Sequence, residues 1–442
     1  MMSQRKKRLT TSQIIMLGFA GMILLGTVLL MLPVSSRSRE ITSFPDALFT
    51  ATSAVCVTGL VLHDTAGYWS AFGQAVLLAL IQIGGMGVVT VASAITIVSG
   101  KKITLMQRST IQEAISAPQV GGIVRLTGFI IRTTLIIELA GAAVMAPVFC
   151  RDFGLRGLWM ALFHSVSAFC NAGFDLMGAE APFSSLTAYR TSPLVNVTVM
   201  LLIVTGGIGF VTWDDIRVNR WHLRRYRMQS KVILFTTAVL LAVPAVYFYA
   251  VELGGFHGGE RVLAALFQSV TARTAGFNTA DLTAFTQAGQ FLLIGLMLIG
   301  GSPGSTAGGM KTTTAAVLAA NAWAVFRRDE QAHCFGRRIG DDAVRNAATI
   351  FLMYIVLFFT GGLIISLAED LPIAACLFET ASAIGTVGLS LGLTPGLGRL
   401  SQLVLIALMF FGRVGGLTII FAALSGTRSS AARLPQEKIT VG

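Results

Sequence analysis

Long apolar stretches separated by short polar turns run through the whole chain. Residues 9–32, 69–99, 122–149, 193–213, 232–251, 290–326, 346–368 and 400–424 are predominantly apolar. A helix needs about 20 apolar residues to cross a bilayer, so the pattern predicts eight transmembrane helices. Within each consecutive pair lies a further apolar run too short to cross. Residues 48–60 read LFTATSAVCVTGL, 162–174 LFHSVSAFCNAGF, 266–277 LFQSVTARTAGF and 377–389 LFETASAIGTVGL. Each run opens with Leu-Phe, continues in small and hydroxyl-bearing residues, and closes on a Gly followed by Phe or Leu. The spacing from Leu-Phe to Gly is the same in the first, second and fourth runs and one residue shorter in the third. The expected unit is a spanning helix, a short re-entrant pore helix, a glycine loop and a second spanning helix.

Four units divide the chain into residues 1–100, 101–220, 221–330 with a broken second span, and 331–442 with the C-terminal tail. Each unit crosses twice, so all four keep one orientation. The fold predicted is an all-α membrane protein with four parallel repeats in pseudo-fourfold arrangement around one ion path. Basic residues orient it. They cluster at Arg5–Arg8, at Lys101, Lys102 and Arg108, at 217–231, at 327–345, and at Arg428, Arg433 and Lys438. Every cluster falls on one side of the eight-span topology, which puts both termini in the cytoplasm. The first stretch is too long for a signal-peptide core and no A-x-A site follows it.

Of the 442 residues 54% are apolar and 12% charged, against about 25% charged in soluble domains. The net charge of +12 sits in short loops, where it sets orientation and gives no nucleic-acid footprint; no nucleic-acid partner is expected. The five cysteines, Cys56, Cys150, Cys170, Cys334 and Cys376, have neither metal-ligand nor redox spacing. HExxH and Walker patterns are absent from the sequence and its five histidines are scattered, so an enzyme is not expected.

Irregular backbone inside a membrane is tolerated where it is buried in protein or lines a water-filled path. Rings of backbone carbonyls replace the hydration shell of K+, and Gly reaches the left-handed dihedrals that turn consecutive carbonyls to one side. The candidate ligands, with K+ as the bound ion, are Val57, Thr58, Gly59, Asn171, Ala172, Gly173, Thr274, Ala275, Gly276, Thr386, Val387 and Gly388. Close packing of spans is the other reading of such glycines; four copies in matching context favour the path. A second motif, GGSPGSTAGGMKTTT at 300–314, interrupts the sixth span. It is not a phosphate loop, because Met310 separates Gly309 from Lys311. Its glycines and Pro303 cannot continue a helix, which suits either a movable obstruction or a passive kink. Arg413, within the eighth span, marks a functional site: an electrostatic barrier under the filter, or a ligand for carbonyl ends of a short helix. Arg132 and Glu138 in the third span need partners, for which a structural bond or snorkelling serves. Asp64, Asp175 and Asp281 follow three of the four loop glycines, either concentrating cations at the outer mouth or as ordinary loop residues.

The four loops ending VTGL, NAGF, RTAGF and TVGL, the break GSPGSTAGGMKTTT, and FFGRVGGLT together resemble the Trk/Ktr/HKT superfamily of cation transporters. The resemblance extends from residue 9 to the PQEKITVG tail, and the one-residue shortening in the third loop is usual in that superfamily. Without an extra leading pair of spans, the chain is most similar to the membrane subunit of bacterial Ktr systems. The resemblance implies K+ uptake, with Na+ as an accompanying ion, by a homodimer of pores in the bacterial inner (plasma) membrane, in contact with membrane lipids. It implies a cytoplasmic regulatory ring of KtrA-type nucleotide-binding subunits, through which ATP and ADP act. It assigns the filter to the four glycine loops and the barrier to Arg413. It assigns the gate to Gly300, Gly301, Ser302, Pro303, Gly304, Ser305, Thr306, Ala307, Gly308, Gly309, Met310 and Lys311. Na+-selective members of the superfamily carry Ser in the first loop, so four glycines imply a preference for K+.

Overall fold

The computed structural model describes residues 10–98, 104–115, 121–178 and 181–423. The basic clusters at Arg5–Arg8, Lys101 and Lys102, and Arg428, Arg433 and Lys438 lie outside the described residues. Helix α1 (Thr11–Met31) starts from a capping box in which Thr10 and Gln13 exchange side-chain to backbone bonds, and it stops before Pro33. Helix α2 (Phe44–Val55) is capped by Ser43, with Pro45 and Asp46 in its first turn. Next come α3 (Thr65–Tyr68), α4 (Ala71–Met86), α5 (Val88–Val98) and α6 (Leu105–Ala114). The order long helix, short helix, loop, divided helix then recurs as α7 (Ile123–Phe153), α8 (Arg156–Phe169), α9 (Pro193–Ile208) and α10 (Phe210–Asn219). Helix α11 (Met228–Tyr247) runs on through a π-helical turn, Phe248–Glu252, and is followed by α12 (Gly258–Thr271), α13 (Gln287–Leu298) and α14 (Thr312–Arg327). The last group is α15 (Asp341–Glu369), α16 (Ile373–Gly385), α17 (Arg399–Val414) and α18 (Gly416–Ala423).

Among the described residues four helices are long and apolar enough to cross a membrane: Thr11–Met31, Ile123–Phe153, Met228–Glu252 and Asp341–Glu369. They match the first, third, fifth and seventh expected spans. The even-numbered stretches differ from expectation. Only the sixth was expected to break, and it does, between α13 and α14. The stretches at 69–99, 193–213 and 400–424 also break, at Gly87 (φ 86°), Gly209 (φ 97°) and Gly415 (φ 90°). At Gly209 the chain turns by 95°. The reason is a recurring Gly-x-x-Gly: 84–87 read GGMG, 206–209 GGIG and 412–415 GRVG. Its first glycine lets the helix touch the end of a short helix. A Cβ on Gly84, Gly206 or Gly412 would lie 2.1, 1.9 and 2.1 Å from the carbonyl oxygens of Val55, Phe169 and Ile384. Its second glycine then takes a dihedral that few side-chain-bearing residues adopt.

Two further differences are small. The chain is not wholly α: β1 (His333–Cys334) pairs antiparallel with β2 (Arg337–Arg338) across a Phe335-Gly336 turn with both φ positive, the geometry of a tight hairpin. Helix α6, not expected, is capped by Thr104 and Gln107 and fastened to α1 by the Ser12 hydroxyl, which donates to Glu113 at 3.0 Å.

Packing follows chain order. Each short helix lies on the long helix before it: α2 on α1, α8 on α7, α12 on α11, α16 on α15. Each also meets a helix from a neighbouring group: α4 with α8, α9 with α12, α13 with α16, and α17 with α2, which closes the circle. The short helices are buried at the centre. Large exposed apolar side chains such as Leu24, Leu139, Val243 and Leu352 lie on the four long helices, an arrangement suited to a hydrocarbon solvent.

Candidate functional site

The four glycine loops meet at the centre. Each begins where a short helix ends, at cap residues Cys56, Cys170, Ala272 and Thr386. The loop glycines all have positive φ: 91° at Gly59, 68° at Gly173, 82° at Gly276 and 95° at Gly388. They form a closed ring. A Cβ on Gly59 would lie 2.5 Å from the Ala172 carbonyl oxygen, one on Gly173 2.8 Å from Ala275, one on Gly276 2.4 Å from Val387, and one on Gly388 2.3 Å from Thr58. Each glycine thus faces the carbonyl preceding the next glycine in chain order, and the fourth faces the first. Only a residue without Cβ fits.

Two parts of this construction were not read from the sequence. Val57, Asn171, Thr274 and Thr386, two residues before each glycine, are also left-handed, at φ 52°, 58°, 64° and 51°. For β-branched Val and Thr such a conformation is strained and persists only where its surroundings enforce it. Left-handed residues alternate with ordinary ones, which turns successive carbonyls toward one side. The enforcement comes from one Ser or Thr in each last helical turn. The Ser53 and Ser382 hydroxyls accept from the Gly59 and Gly388 amides at 3.1 and 3.0 Å. The Ser167 and Thr271 hydroxyls donate to the Phe174 and Phe277 carbonyls at 2.7 and 2.6 Å. The signal was available: LFTATS, LFHSVS, LFQSVT and LFETAS carry the hydroxyl in register.

On one side the ring opens into a cavity of about 440 Å³ lined by all four glycines and by Asp64, Asp175 and Asp281. The three aspartates thus lie together at the mouth, and each also accepts a backbone bond. Asp64 takes the Gly67 and Phe183 amides, Asp175 that of Met177, and Asp281 that of Thr283. Burial in the wall of the mouth, with the Asp64 carboxylate nearby, pushes Asp175 up to about 7 against the opposing bond from Met177. Glu379, buried in α16, braces the loop after Gly388 by accepting from the Ser390 and Thr394 hydroxyls at 2.7 and 2.5 Å.

On the opposite side, residues 300–311 run as irregular chain against the ring. Gly308 faces Thr386: a Cβ there would lie 2.1 Å from its hydroxyl oxygen. The Gly300 amide donates to Met310 O at 2.8 Å, closing the loop at its base. Ser302 N donates to Gly207 O, Gly309 N to Gly412 O, and the Gly304 carbonyl accepts from Phe210 N. The Ser302 hydroxyl lies 3.3 Å from that of Thr312, Ser305 donates to Ser302 O, and Thr306 donates to Phe169 O and to Asn171 Oδ1. Lys311 Nζ donates to Ala307 O at 2.8 Å. A cavity of about 310 Å³ lies beyond, lined by Ala307, Gly309, Met310, Lys311 and Arg413 among others.

Arg413 bonds carbonyl ends, though not those of a short helix: it donates to Gly84 O at 2.5 Å and Gly85 O at 2.8 Å, where α4 ends, and to Thr306 O in the loop. No ion-pair partner for Arg413 occurs among the described residues. Glu138 is 2% exposed and accepts from Gln82 Nε2 at 3.2 Å. Arg132 is exposed on the same helix. Among the described residues no group of three His, Cys, Asp or Glu side chains is arranged to hold a metal.

Residues 9–431 match the family model TrkH, described as a cation transport protein. The chain is 40% identical to the potassium/sodium uptake protein NtpJ of Enterococcus hirae, over 99% of this chain and 98% of the relative. It is 36% identical to the Ktr system potassium uptake protein B of Bacillus subtilis, over 98% of this chain and 97% of the relative. The crystal structure of the potassium transporter TrkH from Vibrio parahaemolyticus superposes with a TM-score of 0.73 at 20% identity, covering 95% of this chain and 86% of that one, a likeness of fold.

Proposed function

The chain belongs to the TrkH family of cation transport proteins, and we propose that it is the ion-translocating subunit of a potassium uptake system. As a member of that family it is a transporter and not an enzyme. The observation that carries the proposal is the ring in which each loop glycine faces a carbonyl of the next loop. A K+ ion entering from the acidic mouth exchanges water for carbonyl oxygens of residues 57–59, 171–173, 274–276 and 386–388. The short helices end at the ring, and the negative ends of their dipoles favour a cation there. On this reading the chain has eight spans, the even-numbered ones bent at a glycine or loop. They form four repeats, at 1–100, 101–220, 221–330 and 331–442, with both termini in the cytoplasm of a bacterial cell.

Residues 300–311 are the gate: irregular chain between the ring and the inner cavity, held by bonds to four surrounding segments. Arg413 adds a fixed positive charge at the inner side. A cytoplasmic KtrA-type ring, binding ATP and ADP, would bias the loop by binding its open state more tightly; a relative that is a Ktr system component supports such a partner. The basic segments at 217–231 and 327–345 offer it a surface, shared with anionic lipid head groups. Assembly as a homodimer completes the reading. Na+ enters as a second ion because the relative from Enterococcus hirae is named for both. The test is complementation. Expression should restore growth of a potassium-uptake-deficient bacterium at low external K+; folded, membrane-inserted protein without rescue would refute the proposal.

A further inference from the structure

Resting on the reading of the ring as a K+ filter, two buried contacts tie the loop at 300–311 directly to the second and third filter loops. The first runs through Thr306. Its hydroxyl, 0% exposed, donates to Phe169 O at 2.9 Å and Asn171 Oδ1 at 3.1 Å. The Asn171 amide in turn donates to Thr274 Oγ1 at 3.4 Å. Gly206 makes room for this: a Cβ there would lie 2.7 Å from Thr306 Oγ1 and 2.9 Å from Asn171 Oδ1. The second runs through Arg273, which precedes Thr274 in the chain. It is 7% exposed and donates to Gly300 O at 3.4 Å, while its Nε–H has no partner. Among the described residues no carboxylate pairs with it. A buried cation without a counter-ion is expensive, and this one spends its guanidinium on the first residue of the loop.

Asn171 and Thr274 are two of the four strained left-handed residues, at φ 58° and 64°. Strain of this kind survives only where neighbours over-determine it. The loop supplies part of that determination, through Thr306 to Asn171 and Thr274 and through Arg273. We infer that filter and loop form one coupled unit, with Arg273 and Thr306 as positioning residues for K+ binding at carbonyls they do not touch. Coupling is reciprocal. A docked loop favours the K+-binding shape of the filter, and K+ in the filter favours the docked loop.

The experiment is thermal unfolding of the purified full chain across K+ and Na+ titrations. An ion that binds the folded state raises the midpoint, so the titration reads its affinity. For wild type, K+ should raise the midpoint at lower concentration than Na+. Thr306→Val removes the hydroxyl at constant shape and should weaken the half-saturating K+ concentration roughly five-fold, the change one net hydrogen bond brings. Arg273→Gln should act in the same direction. Thr306→Ser and Arg273→Lys keep a donor and should remain close to wild type, and they carry the comparison where a more drastic variant does not fold. A purely structural role lowers the midpoint without moving the K+ dependence, and unchanged half-saturation in Thr306→Val and Arg273→Gln overturns the inference. A wild type indifferent to K+ overturns the filter reading itself, and the coupling with it.

Discussion

At the scale of single residues the site is made of backbone, and side chains matter for what they exclude or hold. The ring glycines have no room for a Cβ, so Gly59→Ser and Gly388→Ser should each cut K+ selectivity over Na+ by about tenfold. Strain of about 1–3 kcal/mol at one loop is the size such a change needs. Competitive ion uptake by the reconstituted variants checks it, and unchanged selectivity in both would sink the filter assignment. Ser53→Ala leaves the buried Gly59 amide without its 3.1 Å partner, so the folded state should lose about 1–3 kcal/mol, read as a lower unfolding midpoint. At the mouth, Asp175, at about 7, is neutral below that pH and negative above it. Its attraction for cations is therefore present at higher pH and lost as pH falls through 7. The KM for K+ should rise on acidification in that window, and Asp175→Asn should flatten the profile. The loop glycines were legible in the sequence because four copies align; the aspartates follow only three of them, at unequal spacing, and left two readings open. The strained residues two positions before the glycines were not legible, since Val57 and Thr386 are ordinary strand or helix residues until a neighbouring hydroxyl enforces their dihedrals.

At the scale of elements, the long odd-numbered helices and the short buried ones followed from length and hydropathy. The breaks of the second, fourth and eighth spans did not, because they are set by contact and not by composition: the first glycine of GGMG, GGIG and GRVG seats the helix against a carbonyl, and the last one turns the chain. Gly209 shows the consequence. It has φ 97°, and a Cβ on it would lie 2.7 Å from Pro303 O. Gly209→Ala should destabilise by about 1–3 kcal/mol and displace the loop at 300–311, seen as a lower unfolding midpoint together with a raised K+ flux. Deleting residues 305–309 tests the loop alone. It removes Thr306 and the contacts made by Gly308 and Gly309, so K+ flux into liposomes should rise and depend less on the proposed cytoplasmic partner. A folded deletion that transports no faster than wild type would make the loop scaffold. Arg413→Ala should raise flux by another route, by removing a charge, and partner dependence should persist.

At the scale of the molecule, the decisive feature is closure. Helices α4, α9, α13 and α17 each pack on the short helix of a neighbouring group, and α17 returns to α2. Sequence repetition suggested four similar units in a pseudo-fourfold arrangement but not the contacts that join the last to the first, which link residues as distant as Asp46 and Arg399, joined by an ion pair. Closure turns four irregular loops, each costly in a membrane, into one ring in which each glycine faces a carbonyl of the next loop, the arrangement the proposed filter requires. The direct test is isotopic Rb+ uptake into liposomes holding the purified chain, with unlabelled K+ or Na+ as competitor. Uptake should depend on the protein, and K+ should suppress it at far lower concentration than Na+. Suppression by the two ions at equal concentrations, or uptake no greater than in empty liposomes, would contradict a four-loop K+ filter.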